Sequence, residues 1–343
     1  MTRAHASTTV SEAQTTDEAR LVRPASAPPG RTPDFFIVGH PKCGTTALWE
    51  MLKAHPQIYM PNVKEVRFFA TDMHPRSERP GGLPGTLEEY LTLFGEASPQ
   101  QRAGEASPLY LVSHVAAREI ADAQPHARVI AILREPAGFL RSLHLQWVRS
   151  HFEVEKDFRK AIQLEGERRQ GRRVPPSVRS RPQMLFYSEY VRYVEQLRRY
   201  HSVLPRERVL TLVYDDFRRD NEGAIRAVLR FLEVDESVAI ASKEVNTSVR
   251  MRSQRLDRAV HAVSVGRSPV TRAVKASVKA VAPRRLRRRA LSATQRRVLF
   301  TAPRPPDERL TLELRRRFRG EVVALSEYLD RDLVSLWGYD GVG

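Results

Sequence analysis

The sequence predicts an α/β protein: a central parallel sheet flanked by helices, with a basic, helical C-terminal extension. Three observations predict it. The runs Phe35–Val38, Arg128–Leu133 and Arg208–Tyr214 are apolar, β-favouring and of strand length. Such runs suit parallel strands buried on both faces. Helical patterns alternate with them, which gives a sheet covered by helices. The charge is regional: the 343-residue chain carries a formal +17, and much of the excess lies beyond Arg250.

Residues 1–33 are rich in Ser, Thr, Ala and Pro and read as a disordered lead-in. They lack the apolar core of a secretory signal. Residues 34–250 form the α/β domain. Phe35–Val38 is its first strand, and Ala47–Ala54 its first helix. His55–Pro61 is a short extended piece between prolines. Asp72–Pro84 is a loop rich in Pro, Gly, Arg and Ser. Thr86–Phe94 is a helix that Thr86 can cap, with Glu89 completing a capping box. Glu105–Leu111 reads as a turn into another helix.

Arg128–Leu133 is the strongest strand, and Arg134-Glu135-Pro136 ends it. Ala137–Trp147 resumes at helical spacing, with Leu140, Leu143 and Trp147 on one side. Arg168–Arg181, with Pro175-Pro176, reads as a mobile loop near the site. Ser188–Tyr200 is a helix with Val191, Val194 and Leu197 on one stripe. Residues 251–305 form a basic helical insertion or extension. There Val270, Val274, Val278 and Val281 recur at helical spacing, before the run Arg284–Arg289. Residues 306–343 give a helix, Leu310–Leu329, and a tail whose Leu333, Leu336 and Trp337 dock on the core.

No apolar run approaches the ~20 residues of a membrane span, so a cytoplasmic protein is expected. Cys43 is the sole cysteine. An intramolecular disulfide and a Cys-cluster metal site are therefore excluded, and Cys43 reads as a small loop residue. The basic surface attracts nucleic acid, anionic lipid or a highly anionic ligand. The basic segment lacks the interleaved aromatics of single-strand binders, so no specific nucleic acid is expected. Its cationic amphipathic helix suits peripheral contact with an anionic membrane.

The chemistry concentrates in Phe35–Leu48, which reads FFIVGHPKCGTTAL. A strand, a loop with two glycines and a helix N-terminus follow one another. The free N–H groups of such a first turn bind phosphate. Lys42 adds a point charge, and Thr45 and Thr46 add hydroxyl donors. An ATP-binding P-loop has its lysine directly after the second glycine. Here that position is Thr45, and Lys42 stands two residues before Gly44. A second constellation pairs Arg134, at a strand end, with Ser142 about two helical turns later. A guanidinium fork and a hydroxyl together suit a phosphate.

The first loop resembles the 5′-phosphosulfate-binding loop of the sulfotransferases, which use 3′-phosphoadenosine 5′-phosphosulfate (PAPS). The Arg134…Ser142 spacing resembles their 3′-phosphate-binding motif. Lys64-Glu65-Val66-Arg67-Phe68-Phe69 resembles the KEPHFF-like segment of the heparan-sulfate-type carbohydrate sulfotransferases and their bacterial relatives. Glu105-Ala106-Ser107-Pro108-Leu109-Tyr110 resembles their E-x-[ST]-P-x-Y segment, and Arg331-Asp332-Leu333…Trp337 the ending of many bacterial members. The resemblance covers roughly Phe35 to Asp235, plus the tail.

The resemblance implies a P-loop-like fold and transfer of SO3 from PAPS to an acceptor, leaving PAP. The acceptor is a hydroxyl or amine on a sugar, glycolipid or secondary metabolite. Lys42, Cys43, Gly44, Thr45, Thr46 and Ala47 would bind the 5′ end of the donor, and Arg134 and Ser142 its 3′-phosphate. Lys42 and the loop N–H groups can stabilise charge developing on the leaving oxygen. The resemblance makes Glu65 the base, with His40, His144 and His114 as rivals. No metal is required. Two positions depart from the family pattern: Phe139 stands where many members have a second basic residue, and Ala106 where the glycosaminoglycan enzymes have lysine. The competing readings are a P-loop kinase or NTPase, with Asp215 and Asp216 holding Mg²⁺, and a basic membrane-surface or nucleic-acid binding protein.

Overall fold

The computed structural model describes residues 30–73, 83–240, 250–251, 300–301 and 305–342. Its centre is a five-stranded, wholly parallel sheet in the order β2-β3-β1-β4-β5. The strands are β1 Phe35–Ile37, β2 Ile58–Tyr59, β3 Arg102–Ala106, β4 Arg128–Leu133 and β5 Val209–Val213. All three residues of β1 are fully buried, as are Val129–Leu133 in β4. Continuous apolar runs form these strands because helices cover both faces. The result is a P-loop-like α/β fold.

One strand overturns its expectation. Glu105 and Ala106, expected to open a turn into a helix, instead end β3, which pairs with both β1 and β2. Nothing in its own residues favours a strand, and the neighbouring strands impose it. Gly104 is required there. A Cβ at that position would lie 2.1 Å from the Phe35 ring. A single 3₁₀ turn, Pro108–Tyr110, follows β3.

The helices α1 Thr45–Lys53, α2 Leu87–Thr92, α3 Ala116–Ala123 and α4 Pro136–Arg149 come first. Then follow α5 Phe158–Gln163, α6 Glu165–Arg169, α7 Tyr193–His201, α8 Tyr214–Arg219 and α9 Asn221–Leu232. The capping box on α2 is present: Glu89 N–H donates to Thr86 Oγ1 (3.1 Å), and Thr86 N–H to Glu89 Oε2 (3.3 Å). Residues 188–191, expected in α7, instead belong to a 3₁₀ turn before it, Tyr187–Val191.

The Arg168–Arg181 segment is not a free loop. Arg168 is buried in α6, where its guanidinium donates two 2.8 Å hydrogen bonds to the Glu153 carboxylate. Arginine reads as a surface residue in sequence; here a buried carboxylate pulls it inward.

A long helix, Glu308–Leu329, packs on α4 and α7, and a short one, Leu333–Trp337, packs on it. Two short strands, Arg250–Met251 and Phe300–Thr301, pair antiparallel. The chain thus leaves and returns at one place around residues 252–299. The proposed basic helix at Val270–Val281 and the lead-in before residue 30 lie outside the described residues. Among the described residues, no helix is long and apolar enough to cross a membrane.

The connections place the site. After β1 the chain crosses to β2 on one side; after β4 it crosses to β5 on the other. Such a switch point opens a crevice at the carboxyl ends of the two adjacent strands, where ligands bind. Lys42 and Arg134 follow these two strand ends.

Candidate active site

From β1 the chain passes through Val38, whose N–H donates to Ile130 O (2.9 Å), into the loop that precedes α1. Lys42 lies in the left-handed region at φ 68°, a conformation that non-glycine residues rarely take. Gly44 follows at φ 88° as the N-cap of α1. It carries no side chain to cap the helix, and the first turn holds no acidic residue. The N–H groups of Thr45, Thr46 and Ala47 therefore face the crevice as open donors.

Lys42 completes this donor set. Its amine makes no hydrogen bond or ion pair among the described residues. Burial holds its pKa below the ordinary lysine value, and the charges of Arg149 and Arg134 push the same way. An ammonium placed thus without an anion is primed for one.

Arg134 ties the two strand ends together. Its guanidinium donates to the Lys42 carbonyl (3.0 Å) and lies over the Tyr214 ring, 4.6 Å from the centroid. Tyr193 donates to the Arg134 carbonyl (2.8 Å). The next residue, Glu135, caps α4 by accepting from Ala137 N–H (3.0 Å) and Gly138 N–H (2.6 Å). Glu135 also accepts from the Tyr339 hydroxyl (2.8 Å), so the C-terminal tail braces this corner. Ser142 is buried two turns into α4.

Phe139 is a core residue. It is fully buried and stacks on His40, with centroids 5.0 Å apart and planes 29° apart. The position belongs to the core rather than to the crevice. Arg141 supplies a second guanidinium near Arg134: burial and the Arg134 charge both lower its pKa.

Glu65 stands at the neighbouring strand end. Its N–H donates to the Ala106 carbonyl (2.9 Å), and its φ of 62° is again left-handed. Its carboxylate, 39% exposed, pairs with Lys64 (3.3 Å) and with Arg67. Desolvation disfavours its charge, but Lys64 and Arg67 outweigh it and hold the carboxyl below the usual range. Ala106 is buried at the end of β3, so the second departure from the family pattern also lies in the core.

The rival bases are placed differently. His40 is buried, and its Nε2 pairs with Gln196 Oε1 at 2.8 Å. Burial takes its pKa down to about 3. His144 is buried against Phe158 and Tyr187, with Nε2 at 2.9 Å from the Glu155 carbonyl. His114 is exposed beyond the turn that follows β3. Asp215 accepts from Trp337 Nε1 (3.0 Å), and Asp216 pairs with Arg331 and Arg219. Both carboxylates thus hold the tail, which leaves the kinase reading without its metal ligands.

Cys43 is a free, fully buried thiol, and burial pushes it up to about 12. It is protonated at neutral pH and cannot act as a nucleophile. Native protein at pH 8 is expected to resist maleimide labelling and to label fully in urea. Rapid labelling of the native form would refute this placement.

Sequence reading missed Arg149, Tyr193 and Tyr214. Arg149 had a usable signal, a cation two turns beyond Ser142 on the same helix. The two tyrosines had none, because their partners are distant in the chain.

The family described as Sulfotransferase domain matches residues 32–276. Human carbohydrate sulfotransferase 15 is 35% identical over 74 residues, which is 21% of this chain and 13% of that protein. The membrane-associated sulfotransferase kil1 of Dictyostelium discoideum is 30% identical over 123 residues, 34% of this chain and 24% of that protein. The chain therefore spans less than a quarter of these curated relatives. A solved sulfotransferase from Alicyclobacillus acidocaldarius aligns with a TM-score of 0.61 at 25% identity. That alignment covers 90% of this chain and 99% of the other.

Proposed function

Since the chain belongs to the sulfotransferase family, we propose that it moves a sulfuryl group from PAPS to a hydroxyl or amine of a carbohydrate-containing or small-molecule acceptor. One observation carries the reading: an uncapped helix N-terminus, a lysine with no partner among the described residues and a strand-end arginine converge at one crevice. The donor is a polyanion, and this set offers it N–H groups, hydroxyls, an ammonium and a guanidinium. The chemistry fits.

Residues Lys42 to Ala47 hold the 5′ end of the donor, and Arg134 and Ser142 hold its 3′-phosphate. PAPS supplies an activated sulfuryl group when bound. Lys42 and the loop N–H groups lie where charge grows on the departing phosphate oxygen, and stabilise it without reorganising. Glu65 takes the acceptor proton. It is ionised at neutral pH, and Lys64 with Arg67 keeps it aimed. Its role is to hold one acceptor atom in line as much as to pull on its proton.

Acceptors with sugar hydroxyls come first in this reading, with glycolipids and secondary metabolites beside them. The similarity to carbohydrate sulfotransferase 15 supports that order. We place the enzyme in the cytoplasm, touching anionic membrane peripherally through its basic segment. The +17 charge and the likeness to a membrane-associated sulfotransferase support the membrane contact.

The test is ³⁵S-labelled PAPS with a panel of oligosaccharides, glycolipids and phenols. Label should pass to at least one acceptor, and Glu65→Gln should cut transfer to a small residual rate while PAP still binds. Activity should persist below the usual carboxylate range and fall only as Glu65 protonates. Loss of PAP binding in Glu65→Gln would make the residue structural. Phosphate transfer from ATP in place of sulfuryl transfer would overturn the whole reading.

A further inference from the structure

Glu105 is a carboxylate in the middle of a buried strand end, 1% exposed. Three hydroxyls donate to it: Tyr90 (2.6 Å), Tyr110 (2.9 Å) and Ser107. Each of these hydroxyls has its proton committed to Glu105. The lone pairs of the oxygens are therefore free to accept elsewhere. Two of them do, and both accept from the same segment. Ser107 Oγ accepts from Arg67 N–H (2.8 Å), and Tyr110 Oη accepts from Phe69 N–H (3.2 Å). With Glu65 N–H on the Ala106 carbonyl (2.9 Å), alternate N–H groups at 65, 67 and 69 are all held by the end of β3 and the turn that follows it.

This anchoring matters because the segment would not hold its shape alone. Glu65 and Arg67 both lie in the left-handed region, at φ 62° and 56°. Two non-glycine residues so placed are strained, and persist only where their surroundings fix them. Val66 between them is buried and secures the turn from below. β3 lies beside β1, whose end feeds the phosphate loop. Fixing the 65–69 segment to the end of β3 therefore fixes the Glu65 carboxylate relative to Lys42.

We propose that Glu105 is a positioning residue for sulfuryl transfer, acting through Ser107 and Tyr110 to hold the left-handed turn that presents Glu65. The proposal rests on Glu65 as the proton acceptor. Neither hydroxyl touches the reacting atoms; each passes the orientation set by one buried carboxylate to one backbone N–H.

Ser107→Ala removes one relay and leaves Glu105 with two donors. It is expected to lower kcat about ten- to hundredfold in the ³⁵S assay, the scale of a small misplacement of a reacting group. KM for PAPS should stay unchanged, and Ser107→Thr should restore turnover. In protein without ligand, Ser107→Ala should expose the Arg67 amide to hydrogen exchange while Phe69 stays protected. Tyr110→Phe should do the reverse. In a Glu65→Gln background, Ser107→Ala should have no further effect on the residual rate. An equal loss in both backgrounds, or unchanged exchange at Arg67, would overturn the proposal. Unchanged turnover in Glu65→Gln alone would instead overturn the role of Glu65, independently of the exchange result.

Discussion

Lys42→Ala is expected to lower sulfuryl transfer about 10²–10³-fold, the loss seen when one preorganised donor to a developing charge is removed. Folding stability should stay level or rise. The sign follows from the pKa direction. Burial, Arg149 and Arg134 lower the Lys42 pKa in the folded state. Between that value and the ordinary lysine value the unfolded chain binds more protons, so the Lys42 contribution to stability rises with pH. At neutral pH its charge works against the fold, and alanine removes that burden. Thermal unfolding and steady-state kinetics on the same preparation check both halves. Turnover near wild type would end the catalytic assignment. A large drop in unfolding temperature would mean that the loop depends on the amine, which has no partner among the described residues.

Arg168→Ala is expected to cost about 3–5 kcal/mol, because it leaves a buried carboxylate without its cation. Arg168 and Glu153 are both 0% exposed in their side chains. Glu153 also accepts from Tyr187 (3.0 Å) and from the N–H groups of Val154 and Glu155 (2.8 Å each). The Glu155 carbonyl in turn faces His144 on α4, so the pair steadies the helix that carries Ser142. Urea unfolding measures the loss. Arg168→Met with Glu153→Gln should recover much of it, since the neutral amide leaves no unpaired charge and its oxygen still accepts from the two N–H groups. A loss under ~1 kcal/mol in the single variant would show that water reaches the site.

Much of this architecture was legible in the sequence. β4 matched its reading residue for residue, because an unbroken apolar run ended by Arg-Glu-Pro has few other solutions. The phosphate loop was legible from its glycines, and the α2 capping box from Thr86 and Glu89. β3 was not legible, because Gly104 and Glu105 carry no strand signal and only Phe35 explains the glycine. The left-handed turns at Lys42 and Glu65 were hidden for a related reason: glycine or asparagine announces such a turn, and neither is present. Arg168 read as surface because composition cannot show a buried partner fifteen residues away. Phe139 looked like a missing contact until His40 was seen lying against it.

The bracing of Glu135 by Tyr339 spans 204 residues, and that of Asp215 by Trp337 spans 122. Contacts of such separation form late, since long loops must close first. They also impose an order on biosynthesis. A chain emerging from the ribosome can assemble the sheet and close the loop around Lys42 early. It cannot steady the Arg134 corner until the residues near 339 have cleared the exit tunnel. Competence to capture the donor is thus among the last properties the growing polypeptide acquires, and chains truncated before the tail should fold without it.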